Sequence, residues 1–391
     1  MADTNGAYMS RGVSATKDEV HSAIKKQDKG EFAGAFCKLI ADPCGDPDYC
    51  AAMHADGAGT KSSLAYIKYK ETGDITALYN IAQDSVVMNL DDLLCVGATD
   101  GFILSNTIGR NAHRVDGKAI KAVIDGYTDF CEMLRGYGIG ITMAGGETAD
   151  VGDLVNTLIV DSTFFVRIKR SEVIDCANIK PGDVIVGLAS FGKAVYEKTE
   201  NAGMGSNGLT AARHLLLSHE YAAKYPETFS NTIDDSKVYC GKYKVDDILP
   251  GTDLKVADAI LSPTRTYAPV IKEILDAKRS AVHGMIHCTG GGQAKCKNFG
   301  EGIHYIKDNL FDVPPLFAAI AENSDITERE LYQDFNMGHR MEIYCSPEDA
   351  EFMISTAKKY GVDAKIVGHT EKSSDGMNHV TIKANGKIFE Y

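Results

Sequence analysis

The chain has no pair of cysteines spaced C-x-x-C, no N-x-[ST] sequon and no G-x-x-x-x-G-K-[ST] phosphate loop. It also has no apolar run approaching the roughly 18 residues of a membrane helix. Zinc ligation calls for closely paired thiolates, and the tightest cysteine spacing, Cys44-x5-Cys50, is too wide. The ten cysteines therefore read as reduced thiols, several of them inside apolar segments (Cys95, Cys345) where they act as small hydrophobes. The opening MADTNGAYMSRG lacks a signal-like apolar stretch, and with no sequon the expectation is a cytoplasmic protein. Basic residues are in short supply: 41 Lys and Arg face 54 Asp and Glu, for a net charge of −13. General binding to nucleic acid or to an anionic membrane is excluded on that ground. Any anionic ligand must be held locally, by backbone N–H groups, a few cations and metal ions.

What is there is ordinary globular material, 44% hydrophobic and 24% charged. A length of 391 residues exceeds what one hydrophobic core usually serves, so two domains are expected. Pro181-Gly182-Asp183 is a turn signal before the short apolar strand VIVGLAS, and the boundary is placed near residue 170, giving domains 1–170 and 171–391. A helical pattern near the N-terminus (DEVHSAIKKQ) is followed by a strand, AAMHA, and a long helix, YNIAQDSVVMNLDDLLCVGA. A strand (GFILSNTIG), a helix (DGKAIKAVIDGYTDFCEMLRGYG), a strand closing in a GGE turn, and the β-rich LVNTLIVDSTFFVRIKR complete the first half. This alternation predicts a sheet covered by helices. The second half carries three helical segments. One is GLTAARHLLLSHEY. Another starts at Ser262 as N-cap with Pro263 at the first helical position, and the third starts at Ser346-Pro347. Residues 224–247 are polar and aperiodic and read as an insertion.

Five constellations carry chemistry. Asp56-Gly57-Ala58-Gly59-Thr60-Lys61 precedes a helix: glycines allow close approach to phosphate, Lys adds charge and Asp can hold a bridging metal. A plain turn between strand and helix is the alternative. Asp84 and Asp91 lie two helical turns apart on an apolar helix, with Asp92 close to the same face. Buried, they need a compensating cation such as Mg²⁺; otherwise they form an exposed acidic stripe. Gly145-Gly146-Glu147 follows a strand, where α/β proteins place ligand-facing groups. Residues 203–208, GMGSNG, match G-x-G-x-x-G but follow no strand, so a contact at the next helix start fits better than a dinucleotide fold. In HGMIHCTGGGQ, three glycines imply close approach to a ligand, and His283 and His287 share a face if extended; a lone histidine is more often structural.

Taken in order, DGAGTK, the helix ending DDLLCVGA, GGETA, KPGDVIVGLAS, SNGL, LSPTRTY, IHCTGGG and FNMG resemble one family, phosphoribosylformylglycinamidine cyclo-ligase, or aminoimidazole ribonucleotide synthetase. The resemblance is colinear through almost the whole chain. It implies an α/β (α+β) two-domain fold, with an N-terminal mixed sheet pairing into a dimer barrel and a C-terminal α/β sandwich. It also implies a cytoplasmic homodimer acting on a small ribonucleotide. The implied reaction is ATP-dependent closure of formylglycinamidine ribonucleotide to aminoimidazole ribonucleotide, with ADP and phosphate released. Carried over by position, the metal ligands for Mg²⁺ are Asp56, Asp84 and Asp92. ATP and phosphate contacts fall on Asp56, Gly57, Gly59, Thr60, Lys61, Gly145, Gly146 and Glu147. Substrate contacts fall on Ser206, Asn207, Gly208, Gly290 and Gly291, and catalytic roles on Lys25, Lys61 and His287.

Departures from the family pattern are clear. Asp100 stands where a proline is usual, Asp91 where an asparagine is, and Gly205 where a histidine precedes Ser-Asn-Gly. These leave room for a relative that uses the same ATP site on another acceptor, as in an amidotransferase or small-molecule kinase, or for a non-catalytic ATP-binding regulator.

Overall fold

The structure is a computed structural model that describes Arg11, Ala23 and residues 26–391. The helical pattern expected near the N-terminus, Lys25 included, lies outside those residues. The first half builds β1 (Ile40–Ala41), β2 (Tyr49–Gly57), α1 (Lys61–Thr72), α2 (Thr76–Leu94), β3 (Phe102–Arg110), α3 (Gly117–Gly136), β4 (Ile141–Asp150) and β5 (Leu158–Lys169). Its sheet runs β1-β2-β5-β3-β4, antiparallel except for the β3–β4 pair. Period-two burial along β5 places Leu158, Val160, Phe164, Val166 and Ile168 under the helices and leaves the other face open. On that open face Met53 is 69% exposed, and Ile103 is exposed two strands away, on the other side of Phe165.

The expected Gly-Gly-Glu turn is not a turn. β4 continues through Gly145, Gly146 and Glu147, with a register shift against β3 between Leu104 and Asn106. Gly145 takes up the extra residue at φ +109°, a value that glycine adopts without strain.

The second half builds β6 (Val184–Ala189), β7 (Phe191–Gly192), β8 (Asn201–Ala202), α4 (Leu209–Leu216), α5 (Glu220–Lys224), α6 (Val256–Ile260), α7 (Ala268–Lys278) and β9 (Val282–His287). It continues with β10 (Ile303–Lys307), α8 (Pro315–Glu322), α9 (Glu328–Asp334), β11 (His339–Cys345), α10 (Ala350–Lys359), β12 (Ala364–Lys372), β13 (His379–Ala384) and β14 (Lys387–Glu390). Seven strands form a mixed sheet in the order β14-β13-β10-β12-β6-β11-β9; α10 packs on β12 and β6, and α7 packs on α10. All ten cysteines are free thiols. Among the described residues no helix is long and apolar enough to cross a membrane.

α2 is the common member of both halves. It lies on β2 and β5 and also touches α7 and β9. Asp84 and Asp91 are fully buried on it, so the exposed acidic stripe is not what forms. Their counterparts come from residues 262–267. Asp84 Oδ1 accepts from Thr264 N at 2.8 Å, Thr264 Oγ1 at 2.5 Å and Lys61 Nζ at 2.6 Å. Asp91 accepts from Thr266 Oγ1 at 2.7 Å and Tyr267 N at 3.2 Å. These bonds explain why the Ser262-Pro263 signal does not start a helix. α7 begins only at Ala268, because the intervening N–H and hydroxyl groups serve the carboxylates and Ser262 Oγ accepts from Ala202 N instead.

Residues 224–247, read from sequence as an insertion, pack into the second half. Val238 and Tyr239 are buried against α4, where Arg213 donates to Tyr239 Oη at 2.6 Å and to the Thr228 carbonyl at 2.7 Å. His214 Nδ1 accepts from Tyr239 N at 3.1 Å, while its buried Nε2 has no partner.

Two predictions follow from these interior groups. Lys61 is wholly buried, and Ser262 O (2.6 Å) and Gly205 O (3.3 Å) take its remaining donors. Lys61→Met strands the Asp84 charge and is expected to lower unfolding stability by about 3–5 kcal/mol. A loss below about 1 kcal/mol in urea titration would show that the pair is not what holds this junction. Burial, with Arg213 and Arg11 adding, holds the His214 pKa down to about 2. The unfolded chain takes up that proton near pH 6.5 and the native state does not. Stability therefore falls as pH drops below that value, by up to about 1.4 kcal/mol per unit. His214→Gln keeps an acceptor and removes the titration, so its urea midpoint should drop less than the wild-type midpoint between pH 7 and pH 5.

Candidate functional site

The opening motif sits where β2 ends and α1 begins. His54 and Asp56 face the helices: His54 Nδ1 meets Asn89 Oδ1 at 2.9 Å, and Asn89 Nδ2 donates to the Asp56 carbonyl at 3.1 Å. Gly57 pairs with Asp161 across the β2–β5 ladder. A Cβ at Gly57 would stand 1.8 Å from Asp161 Oδ1, so only glycine admits that carboxylate here. Burial and the neighbouring Asp56 raise the Asp161 pKa, which marks a pair of acids crowded at the strand ends. Gly59 has φ +56°, and Thr60 caps α1 while its hydroxyl meets that of Thr210 at 2.9 Å, tying the loop to α4.

Asp92 is the centre of a second group. Its Oδ1 lies 2.6 Å from His287 Nδ1 and its Oδ2 3.2 Å from His54 Nε2. Burial works against its charge, yet the two histidines hold its carboxyl well below the usual range. With Asp92 ionised, His287 carries its proton on Nδ1 and presents a lone pair at Nε2. That lone pair accepts from Arg340 Nη1 at 2.9 Å. Burial, then Arg340, pushes the His287 pKa down to about 4. Asp91, one residue before, is raised to about 7 by burial even though Arg340, Thr266 and Tyr267 favour its charge.

Ser206 Oγ meets Thr264 Oγ1 at 2.8 Å, which links the Ser-Asn-Gly loop to the Asp84 group. Asn207 is half-buried. Gly208 at φ +80° caps α4, and a Cβ there would stand 2.3 Å from Phe335. Gly290 and Gly291 lie in the loop after β9, with Gly290 exposed. Lys295 Nζ reaches back to Thr289 Oγ1 at 2.8 Å and lies 4.6 Å over the Phe36 ring. Among the described residues no carboxylate pairs with it.

The structure thus joins Asp84, Lys61 and Ser206 in one network and Asp92 with His287 in another. It does not bring Asp56, Asp84 and Asp92 within reach of a single ion. Glu147 is further away still, on the open face, in a row that runs Gly57, Asp161, Thr107, Glu147. At roughly 4.8 Å per strand that row spans about 14 Å. Oxygen donors of the kind Mg²⁺ takes are nonetheless present: the Asp56 and Asp161 carboxylates, and Asp84 Oδ2, which is buried and unpartnered. The one cluster of three donors among the described residues is elsewhere. Cys288, His339 and Glu342 come together inside the second half, but His339 (2.8 Å), Tyr344 (2.7 Å) and Lys307 already satisfy Glu342.

The sequence carried signals for Asp56, Asp84 and Gly57. It carried none for His54, Asp161, Lys295 or Arg340, which lack any local motif and are recruited by the fold.

Comparison with known proteins agrees with this architecture. Residues 35–165 match the AIR synthase related protein N-terminal domain, and residues 180–379 match its C-terminal domain. A phosphoribosylformylglycinamidine cyclo-ligase of Methanococcus vannielii is 30% identical over 386 residues, which is 96% of this chain and 93% of that relative. The protein of that name in Methanococcus maripaludis is 28% identical over 366 residues, 92% of this chain and 87% of its own. Among solved structures, T. maritima PurL complexed with FGAR superposes with a TM-score of 0.56 at 16% identity, over 96% of this chain and 49% of that one. This chain is thus about half that protein's length, and the likeness is one of fold. With both domains matched and relatives aligned nearly end to end, the chain belongs to the AIR synthase related protein family.

Proposed function

We propose that the chain closes the imidazole ring of aminoimidazole ribonucleotide from formylglycinamidine ribonucleotide at the expense of ATP, releasing ADP and phosphate, in purine biosynthesis. The observation that carries this reading is the similarity to a cyclo-ligase over 96% of this chain and 93% of the relative. In the reaction the formyl amide oxygen takes a phosphoryl group from ATP, an amidine nitrogen attacks the activated carbon, and phosphate leaves. Such chemistry asks the protein for positioning and charge neutralisation rather than a covalent partner.

The first half, residues 1–170, is then the nucleotide and dimerisation domain, and residues 171–391 are the substrate side. Asp56 would hold Mg²⁺ with Asp161 beside it, and Asp84 and Asp92, kept in place by Lys61 and His287, would back that site from α2. Mg²⁺, when bound, neutralises triphosphate oxygens. Gly57, Gly59 and Thr60 let the backbone approach the phosphates at the start of α1. Lys61 has its ammonium committed to Asp84, so it serves the site by holding that carboxylate. Gly145, Gly146 and Glu147 line the open face on the nucleotide side, and Lys25 completes the ATP contacts. Ser206, Asn207, Gly208, Gly290 and Gly291 face the ribonucleotide, and Lys295 offers its phosphate a positive charge. The open face of the first sheet, with Met53 and Ile103 exposed, is where a second copy pairs to form a cytoplasmic homodimer.

The deciding assay is ADP and aminoimidazole ribonucleotide formation by the purified protein with Mg²⁺–ATP, with and without formylglycinamidine ribonucleotide. Absence of substrate-dependent ADP would sink the reading. Asp56 is exposed, so Asp56→Asn should leave the melting temperature within a few degrees yet lower kcat by about 10²-fold or more. Activity near that of the wild type would remove Asp56 from the metal site. Met53→Lys should convert the dimer to monomer in sedimentation velocity, and an unchanged mass would place the interface elsewhere.

A further inference from the structure

Arg340 is the second residue of β11 and only 2% exposed. Its guanidinium has few acidic neighbours for so buried a cation. Asp91 Oδ2 lies 3.7 Å from Nη2, but Thr266 and Tyr267 already bond that carboxylate. Nη2 is spent on the Arg265 carbonyl and Nη1 on the imidazole lone pair of His287, at 2.9 Å. The plane lies 5.5 Å over the Tyr267 ring. Desolvating a guanidinium is costly, and a site that needed only bulk would be better filled by an apolar side chain. The donor geometry is instead directed at a neutral acceptor that holds Asp92 on its other side.

The shaft of the same side chain covers Gly205. A Cβ at Gly205 would stand 3.1 Å from Arg340 Cδ and 3.5 Å from Nε, and Gly205 itself is at φ +70°. The volume that a side chain at position 205 would take belongs to Arg340. The Gly205 carbonyl in turn accepts from Lys61 at 3.3 Å. One residue therefore touches the Asp92 group through His287 and the Asp84 group through Gly205.

We propose that Arg340 is a positioning residue for ring closure: it locks His287 as the Nδ1–H tautomer, so that His287 orients Asp92, and it fills the space beside Gly205. This rests on the function proposed above. His287 is then a strut for Asp92, since its Nε2 can exchange a proton only if Arg340 withdraws. Lysine cannot substitute, because a single ammonium cannot span His287 and the Arg265 carbonyl as a planar fork does.

The test is Arg340→Lys, which keeps charge and most of the volume, with Arg340→Ala as its companion. In Arg340→Lys, kcat should fall about 10–100-fold while KM for ATP changes by less than about threefold, the size seen when a partner behind a ligand is lost. Histidine ¹⁵N shifts at fixed pH, assigned through His287→Gln, should show Nδ1–H in the wild type and a mixture of tautomers in Arg340→Lys. Added guanidinium should restore part of the activity of Arg340→Ala; if that variant does not fold, Arg340→Lys alone decides. Wild-type kcat together with an unchanged His287 signal in Arg340→Lys overturns the proposal, as does activity loss with the tautomer unmoved. If the wild type turns over no formylglycinamidine ribonucleotide, the proposed reaction fails, while the ¹⁵N signals still report whether Arg340 holds His287.

Discussion

Three carboxylates on one helix have to be kept ionised, or neutralised, in a place with little or no water. Everything else is arranged around that constraint. Asp84, Asp91 and Asp92 sit on α2 between the first sheet and the second half. Each meets a different solution: a buried lysine for Asp84, hydroxyl and backbone donors with a nearby arginine for Asp91, and two histidines for Asp92. Since most of those partners belong to the second half, the acids also act as the joint between the two halves. A low-dielectric interior makes such partners expensive to lose, which is why the joint is specific.

The same arrangement sets the character of the site. Carboxylates held this way are already oriented and have only part of their bonding capacity left, Asp84 Oδ2 being the clearest case. At the end of β2 the Asp56 and Asp161 carboxylates crowd one another, and the helix that carries the three acids lies on the same strand. The Ser206 loop is tied to the same group, since Ser206 shares Thr264 with Asp84. The loop before α4 and the acid at Asp84 are thereby linked through a handful of hydrogen bonds.

Much of this was legible in the sequence. The alternation of elements in the first half, the buried character of α2 and the loop before α1 follow from local pattern, because apolar period and glycine placement act over a few residues. What was misread was overridden by distant partners. Ser262-Pro263 is a sound local helix start, but Thr264, Thr266 and Tyr267 are claimed by Asp84 and Asp91 from about 175–180 positions away. Gly145-Gly146 is a sound turn signal, but the strand continues because β3 lies alongside to pair with it. Arg340 had no local signature at all, since its meaning comes from His287 and Gly205, each brought to it by the fold.

The bulge at Gly145 decides which side of the first sheet the rest of β4 addresses. With the extra residue, Glu147 pairs with Thr107 and Thr148 with Ile108. Paired regularly from Met143 onward, without the bulge, the same residues would put Glu147 opposite Ile108 and turn its carboxylate into the layer under the helices. Between Met143 and Glu147 the outward direction of the acid therefore depends on one unpaired residue. A chain one residue shorter there would pair without a bulge and still present the acid outward, whereas this sequence without its bulge would bury it.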